Sequence, residues 1–218
     1  MKVIVIAAQK GGVGKTTISA HLGVELTMRG HTTVLVDTDP QGSLSDWWNS
    51  REAEQPALVN VSAEELKGAL GQLEGMGVEY AIIDTPPAIS ELISAVTSLA
   101  DLIVVPAKPS RLDLRAVGPT IELIEGHGKP MVFLVNQAKV KTRLCSQAIM
   151  ALSQHGKVAP VIYDRNDIVS SMTDGRVAQE LDDAGKGTQE IRELCDYILK
   201  QLTPPSQKGK STPKSVNA

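Results

Sequence analysis

Aromatic residues and cysteines are scarce in this sequence. Aromatic side chains make up 3% of the 218 residues, so the core must be built from Val, Ile, Leu and Ala. Such a core is typical of strands buried between two layers of helices. The two cysteines, Cys145 and Cys195, are far apart and form no CxxC motif, which excludes a disulfide framework and a thiolate metal cage. We therefore expect a reducing compartment.

Long apolar runs and a strong charge imbalance are also missing. No stretch reaches the roughly 18 uninterrupted apolar residues of a membrane-spanning helix, and no basic segment with a cleavage site precedes the first apolar run. The net charge of −3 at pH 7 provides no overall attraction for nucleic acid, although a sum of charges does not reveal a local basic face. We expect a cytoplasmic protein.

Apolar runs that end in polar turn residues alternate with segments of helical periodicity. The pattern predicts strands at 2–8, 32–37, 79–84, 101–107, 130–137 and 158–163. It predicts helices at 15–30, 62–75 and 188–201, a short helix and then a polar connection within 43–56, and a capping box of Ser62 and Glu65. We expect one domain over residues 1–203 and a disordered basic tail over 204–218, where Pro, Ser, Lys and Gly dominate.

This alternation predicts an α/β fold, a three-layer, doubly wound, mostly parallel sheet with helices on both faces. Ligands bind at the carboxyl ends of the strands in such sheets. Four chemically active side chains follow predicted strands, namely Asp37, Asp39, Asp84 and Asn136. One pocket at this edge can collect them together with the loop after the first strand.

That loop, "AQKGGVGKTTI" over residues 8–18, matches most of a phosphate-binding pattern. Gly14, Lys15 and Thr16 complete the end of G-x-x-x-x-G-K-[ST], but Gln9 stands where the first glycine belongs. Glycines let backbone N–H groups approach an anion at the N-terminus of the following helix. Lys15 would reach the β- and γ-phosphates, and Thr16 would offer its hydroxyl to Mg²⁺. The predicted phosphate-binding residues are Gly11, Gly12, Val13, Gly14, Lys15, Thr16 and Thr17.

The lysine-glycine pair at the start of the loop is the mark of a known family. "KGGVGKTT", "VDTDPQ" and "IIDTPP", in this order, resemble the deviant Walker ATPases of the ParA/MinD group over most of residues 1–200. The short N-terminus and the run "DTDPQGSLSDWW" resemble the small ParF-like plasmid-partition ATPases. The resemblance implies a P-loop NTPase fold that binds ATP and Mg²⁺.

The resemblance also explains the second lysine of the loop. In this family the residue that matches Lys10 reaches across a dimer interface to the nucleotide of the other subunit, with the logic of an arginine finger. The resemblance therefore implies that the protein forms a homodimer when it binds ATP. The matching catalytic residues are Lys10, Lys15 and Asp39, the last of which positions or activates the attacking water.

Other roles carried over by the resemblance concern the metal and the base. Asp84 matches the Walker B acid, and Asp37 matches the residue near the metal that neighbours the catalytic aspartate. The resemblance thus gives Thr16, Asp37 and Asp84 as metal-site residues. For Asp37 a turn or helix-cap role remains an alternative. Asn136 matches the residue that reads adenine, and Arg165 and Asn166 match the segment that closes over the base. Asp113 either pairs with Lys15 or completes a helix cap that begins at Ser110.

The output of such an ATP switch has several alternatives. The C-terminal sequence has no apolar face, so we expect no MinD-like membrane binding. A partition ATPase instead binds nucleoid DNA without sequence preference and works with a ParB-like or centromere-binding adaptor. The candidate DNA contacts are Lys139, Lys141 and Arg143, with Arg111, Arg115, Arg192 and the tail lysines as contributors.

Two further alternatives concern different classes of protein. An ATPase that positions a protein cargo, such as a chemoreceptor, secretion or synthase complex, has the same motifs, because the cargo is recognised by a partner. A reductase similar to the nitrogenase iron protein would need two cluster-binding cysteines per subunit, and neither cysteine has the expected surroundings. We expect a cytoplasmic, nucleoid-associated ATPase.

Overall fold

A single sheet of parallel strands organises the protein. The computed structural model describes residues 1–87 and 91–203, so the predicted tail at 204–218 lies outside the described residues. The strands are β1 (Lys2–Ile6), β2 (Thr33–Asp37), β3 (Ala57–Asn60), β4 (Tyr80–Asp84), β5 (Leu102–Ala107), β6 (Met131–Val135) and β7 (Lys157–Val158). They pair in the order β3-β2-β4-β1-β5-β6-β7, and every pair is parallel.

Helices connect successive strands and cover both faces of the sheet. They are α1 (Lys15–Met28), α2 (Ser43–Asn49), α3 (Ala63–Gly75), α4 (Glu91–Ser98), α5 (Arg111–Arg115), α6 (Gly118–Gly126), α7 (Arg143–Ser153), α8 (Asn166–Ser171), α9 (Ala178–Leu181) and α10 (Lys186–Leu202). A 3₁₀ turn at Met172–Asp174 follows α8. The predicted doubly wound α/β fold is confirmed.

The core consists of two layers separated by the sheet. In β1, Val3 and Val5 pack with helices α3, α4, α6 and α7, whereas Ile4 and Ile6 pack with α1, α2, α8, α9 and α10. Side chains alternate between the two faces of a strand, so a strand covered on both sides must be apolar throughout. This is why the central strands are continuous Val, Ile and Leu runs with few aromatic residues.

Two strand predictions need correction. No strand is predicted between the polar connection and Ser62, but the structure has β3 there. β3 is a short, half-buried edge strand that depends on pairing with β2. The predicted strand at 158–163 is reduced to β7 and an isolated bridge between Ala138 and Tyr163. Pro160 interrupts this run, because proline cannot donate a hydrogen bond to a neighbouring strand. The predicted capping box of Ser62 and Glu65 is confirmed.

The predicted closing amphipathic helix is α10, and it packs within the fold. Its buried residues include Ile191, Leu194 and Ile198, which join the same core layer as α1. The apolar face of α10 is therefore covered by the protein itself. Among the described residues, no helix combines the length and the apolar character needed to cross a bilayer.

A buried histidine joins α1 to α9. His21 is fully buried; its Nδ1 lies 2.8 Å from the Thr17 carbonyl oxygen, and its Nε2 accepts a hydrogen bond of 3.2 Å from the Ala178 N–H. Nδ1 must carry the proton in this arrangement, so the ring is neutral. Burial lowers the pKa of His21 to about 4, although the Thr17 carbonyl favours the charged form.

The neutral His21 makes the protein sensitive to acid. Between pH 6.5 and about 4 the unfolded chain takes up a proton at His21 that the folded chain does not bind, so stability falls as the pH falls, by roughly 3 kcal/mol once the pH is below both values. We expect His21→Asn to have a lower Tm than wild type at pH 7.5 and a smaller loss of Tm between pH 7 and 4.5. Thermal unfolding followed by circular dichroism measures both. The exposed His155→Asn is the control, and an unchanged pH profile in His21→Asn would contradict the assignment.

Candidate nucleotide-binding site

The loop between β1 and α1 is shaped to surround an anion. Gly12 and Gly14 have φ values of 74° and 92°, in the left-handed region that favours glycine. A Cβ atom at Gly14 would lie 2.4 Å from Asn136 Nδ2, so no larger residue fits there. Gly14 precedes α1 without a side-chain cap, and the first N–H groups of the helix therefore remain available to a phosphate.

A cleft of about 400 Å³ opens beside this loop. It is lined by Gly11, Gly12, Gly14, Lys15, Thr16, Thr17, Asp39, Ser43, Pro87 and Gln137. The structure thus brings together the phosphate loop and Asp39, as the sequence predicts. Ser43, Pro87 and Gln137 also line the cleft and are not predicted from the sequence. Gln137 follows Asn136 directly after β6, and this position at the end of a strand could have identified it as a candidate site residue.

Asp84 lies next to Thr16, one of the residues that line the cleft. The Thr16 hydroxyl donates to Asp84 Oδ2 at 2.6 Å, while Asp84 Oδ1 is buried and has no hydrogen-bond partner among residues 1–87 and 91–203. Burial raises the pKa of Asp84 to about 7; Thr16 and Lys15 counteract this, and the charges of Asp37 and Asp39 add to it. An unpartnered carboxylate oxygen beside a hydroxyl fits a hard cation such as Mg²⁺, which prefers oxygen ligands and retains water.

Lys15 is the cation at the base of the cleft. It is buried, and burial lowers its pKa, an effect that the negative charges of Asp84 and Asp39 partly offset. In the described part of the chain, no cluster of three or more His, Cys, Asp or Glu side chains could hold a metal. A metal in this cleft would therefore need ligands from a nucleotide and from water.

The Asp37 carboxylate stabilises the turn that carries Asp39. Its Oδ1 accepts from the Asp39 N–H at 3.0 Å, and its Oδ2 accepts from both the N–H and the hydroxyl of Ser45 at 2.9 and 2.7 Å. Asp39 Oδ1 in turn accepts from the Gln41 N–H at 2.9 Å. The geometry supports the turn and helix-cap alternative for Asp37, and its predicted contact with the metal stays a prediction.

The two lysines of the loop differ in their surroundings. Lys10 Nζ forms an ion pair of 2.6 Å with Asp113 Oδ1, and its side chain is 40% exposed. The Asp113 N–H donates to Ser110 Oγ, and the Ser110 hydroxyl contacts Asp113 Oδ2. Burial opposes ionisation of Asp113, but Lys10 and Ser110 hold its pKa below the usual value. The helix-cap alternative for Asp113 is confirmed, and the pairing with Lys15 is wrong, because Lys10 occupies that carboxylate.

Asn136 stabilises the phosphate loop through a hydrogen bond to its backbone. It is buried, and its amide nitrogen donates to the Val13 carbonyl oxygen at 2.7 Å. Arg165 precedes α8, where it pairs with Glu190 at 2.7 Å, and Asn166 is the first residue of that helix. Neither Arg165 nor Asn166 is among the described residues that line the cleft. The roles of these three residues in binding the base stay predictions.

Three of the basic candidates lie around the start of α7. α5 contacts α7, and Lys139, Lys141 and Arg143 occupy the loop before α7 and its first residue. Within the described residues, none of these three cations forms an ion pair. Arg192, by contrast, pairs with Asp183 and with Glu25 at 3.7 Å.

The cysteines lie on opposite sides of the sheet. Cys145 packs in the layer of α3, α4, α6 and α7, and Cys195 packs in the layer of α1 and α10. Both are free and buried, and burial raises the pKa of each thiol, that of Cys195 to about 12. Two inert thiols in separate layers do not form a cluster-binding pair.

Comparison with known proteins agrees with this geometry. A family model described as the CobQ/CobB/MinD/ParA nucleotide binding domain matches residues 4–177. The chain is 37% identical over 131 residues to maintenance of carboxysome distribution protein A of Halothiobacillus neapolitanus, covering 58% of this chain and 59% of that protein, which is less than two thirds of its length. It is 30% identical over 171 residues to protein ParA of Rhizobium radiobacter, covering 78% of this chain and 76% of that protein.

A solved structure shows the same fold. The septum site-determining protein MinD of Pyrococcus horikoshii OT3, in complex with Mg-ADP, has a TM-score of 0.77 and 17% identity, covering 90% of this chain and 95% of that one. The family model covers most of the chain, and the alignment with ParA covers more than two thirds of it. The protein therefore belongs to the CobQ/CobB/MinD/ParA family of nucleotide-binding domains, as its three motifs predict.

Proposed function

We propose that the protein is a Mg²⁺-dependent ATPase that forms a homodimer around ATP and binds DNA without sequence preference. It segregates plasmid or chromosome DNA in the cytoplasm, associated with the nucleoid, and a ParB-like or centromere-binding adaptor stimulates hydrolysis. The observation that carries the proposal is the separation of the two loop lysines. Lys15 lines the cleft and is buried, whereas Lys10 lies outside the described cleft lining with a side chain that is 40% exposed.

Each cation has a distinct task in this mechanism. Lys15 would bind the β- and γ-phosphates of the nucleotide in its own cleft, and Lys10 would leave Asp113 to reach the nucleotide of a second subunit. A cation supplied in trans stabilises the charge on the transferred phosphoryl group. Hydrolysis is then possible only in the dimer, and ATP serves as the link between two subunits.

The carboxylates have separate tasks as well. A bound Mg²⁺ would supply charge neutralisation at the β- and γ-phosphates; the Thr16 hydroxyl and Asp84 Oδ1 would hold it, directly or through water. Asp39 would orient the attacking water from the turn that Asp37 stabilises. Ser43, at the start of α2, lies in the same cleft lining and would contact the terminal phosphate side of the nucleotide.

The proposed DNA surface combines cations from α5 and from the start of α7. Arg111 and Arg115 are exposed on α5, which contacts α7, and Lys139, Lys141 and Arg143 lie before and at the first residue of α7. Cations without an acidic neighbour can pair with phosphates at low desolvation cost. Arg192 is a weaker candidate, because Asp183 and Glu25 already neutralise it. Two such surfaces on a dimer would track one duplex.

One comparison favours a second candidate function. The relative with 37% identity carries the name of a carboxysome distribution protein, so the cargo of this chain can be a protein assembly rather than DNA. In that case DNA serves as a track or takes no part. Binding of the ATP-bound protein to random DNA separates these possibilities.

The dimer model makes different predictions for the two lysines. Lys15→Gln should weaken binding of a fluorescently labelled ATP analogue by at least about tenfold, because the phosphates lose their contact with a buried cation. Lys10→Gln should bind the analogue nearly as well as wild type but remain monomeric with ATP and Mg²⁺ in size-exclusion chromatography with light scattering. A Lys10→Gln protein that dimerises with ATP like the wild type contradicts the role in trans.

Removing the proposed water-positioning carboxylate should trap the dimer. We expect Asp39→Ala to accumulate as an ATP dimer that binds random-sequence duplex DNA with ATP but not with ADP or without nucleotide, and to lose affinity steeply as salt rises. Fluorescence anisotropy across a salt series measures this. An Asp39→Ala protein that stays monomeric in ATP refutes the sandwich, and a confirmed dimer without DNA binding in any nucleotide state supports the protein-cargo alternative.

The DNA surface can be tested with charge-matched variants. In the Asp39→Ala background, Lys139→Gln, Lys141→Gln and Arg143→Gln together should weaken ATP-dependent DNA binding at least about tenfold and flatten its salt dependence. The control combines Lys67→Gln, Lys186→Gln and Lys200→Gln, three exposed cations on α3 and α10 that remove the same charge. Equal losses in both triple variants would mean that net charge, and not this surface, governs binding.

A further inference from the structure

A buried arginine holds the C-terminal end of α2. The Arg51 side chain is 2% exposed and pairs with both oxygens of Glu180, through Nη2 at 2.8 Å and Nη1 at 3.1 Å. Nη1 also donates to the Gly175 carbonyl at 2.6 Å, and Nη2 to the Gln55 carbonyl at 3.1 Å. A bidentate arginine–carboxylate contact of this kind fixes the relative orientation of the two side chains and also stabilises the fold. Arg51 therefore connects α2 to the segment that leads into α9.

Two further contacts seat the end of α2 on this segment. Trp47 Nε1 donates to the Arg176 carbonyl at 3.2 Å, and the Arg51 guanidinium lies 4.9 Å above the Trp47 ring. Gly175 has φ 77°, and a Cβ there would lie 2.4 Å from the Arg51 backbone nitrogen. The close approach of the two backbones requires glycine at this position. The end of α2 and the Gly175 turn thus pack as one unit.

The other end of α2 is bound to the catalytic turn. Asp37 Oδ2 accepts from the backbone and the hydroxyl of Ser45, and Asp37 Oδ1 accepts from the Asp39 N–H. α2 spans only Ser43–Asn49, a helix about 10 Å long. A helix this short has little stability of its own, so its neighbours determine where it lies. Leu44 and Trp47 are buried in the core, and Asp37 and Arg51 hold the two ends, so a shift at Arg51 would reach the Asp39 turn.

α9 is attached in turn to the phosphate-loop helix. The Ala178 N–H donates to His21 Nε2, and the Gln179 amide donates to the His21 carbonyl at 2.9 Å. His21 Nδ1 contacts the carbonyl oxygen of Thr17, a residue that lines the nucleotide cleft. Every member of this set is buried except Thr17, which is partly exposed in the cleft. The position of α9 is therefore fixed relative to the first turn of α1.

We propose that Arg51 and Glu180 are positioning residues for Asp39. They close a chain of contacts that runs from the first turn of α1 through α9 and α2 to the Asp39 turn. Neither side chain lines the described nucleotide cleft, so both act through the placement of α2. The inference rests on the proposed function of Asp39 in hydrolysis. A displacement of about 1 Å at a catalytic group is enough to lower a rate by about a hundredfold.

The test uses two conservative variants of the full chain and one control. Arg51→Lys keeps the positive charge but loses the bidentate contact, and Glu180→Gln keeps the shape of the side chain but loses its negative charge. Arg176→Ala is the matched control, because Arg176 lies in the same segment and forms an ion pair with Asp174 in which both side chains are more than half exposed. Its contact with Trp47 of α2 is made by the backbone carbonyl, which the substitution leaves in place.

Amide hydrogen exchange tests the positioning without nucleotide. Backbone amides at 39–46 include those bound to Asp37 and Asp39. We expect their exchange to be at least about tenfold faster in Arg51→Lys and Glu180→Gln, unchanged in Arg176→Ala, and unchanged in α3 and α10 of all three variants. Unchanged exchange at 39–46 overturns the proposal, and so does a uniform rise along the chain, which indicates only a loss of global stability.

Hydrolysis kinetics test the consequence for Asp39. Arg51→Lys and Glu180→Gln should lower kcat about ten- to a hundredfold while KM for ATP stays within about twofold of wild type, because the phosphate loop is unaffected. A rise in KM with unchanged kcat overturns the proposal in favour of a role in nucleotide binding. If wild-type protein hydrolyses no ATP, the proposed function fails, whereas the exchange measurement still decides whether Arg51 and Glu180 fix the Asp39 turn.

Discussion

The register of three parallel strands determines the geometry of the whole site. Ile6 pairs with Asp84, and Asp84 pairs with Asp37, so β1, β4 and β2 end at the same level. The Thr38 N–H donates to the Asp84 carbonyl at 3.2 Å, and the Thr85 hydroxyl donates to the Ile6 carbonyl at 2.9 Å. These bonds extend the pairing past the last strand residues. A slip of one residue would turn either carboxylate to the opposite face of the sheet.

Burial of opposite charges at this edge prepares the site for a charged ligand. Burial disfavours the charged forms of both Lys15 and Asp84, since it lowers the pKa of the former and raises that of the latter. A phosphate favours the lysine cation and a divalent metal favours the carboxylate, so binding of both relieves the cost of desolvation. A ligand that binds only the folded protein also stabilises it. Under the proposed function, a bound cation would also satisfy Asp84 Oδ1, which has no hydrogen-bond partner in the described part of the chain.

Short elements around the sheet take their positions from neighbours rather than from their own stability. α2 and α9 have seven and four residues, too few for stable isolated helices. Asp37 and Arg51 hold the two ends of α2, and His21 and Arg51 connect α9 to the rest. Lys10 is likewise held by Asp113 rather than by its own loop. The positions of Lys10 and of the Asp39 turn thus depend on side-chain contacts between residues far apart in the sequence.

Because apolar periodicity and glycine spacing are local properties of the chain, the sequence alone predicts the α/β fold, the phosphate loop and the acidic strand ends. It could not predict β3, which depends on the edge of β2, or the partner of Asp113, since Lys10 and Lys15 both lie in the same loop. Three features become visible only in the folded protein: Asp37 supports the Asp39 turn, Gln137 lines the cleft, and Arg51 pairs with Glu180. These contacts join residues distant in sequence, and their geometry follows from packing of the layers, which no local pattern encodes.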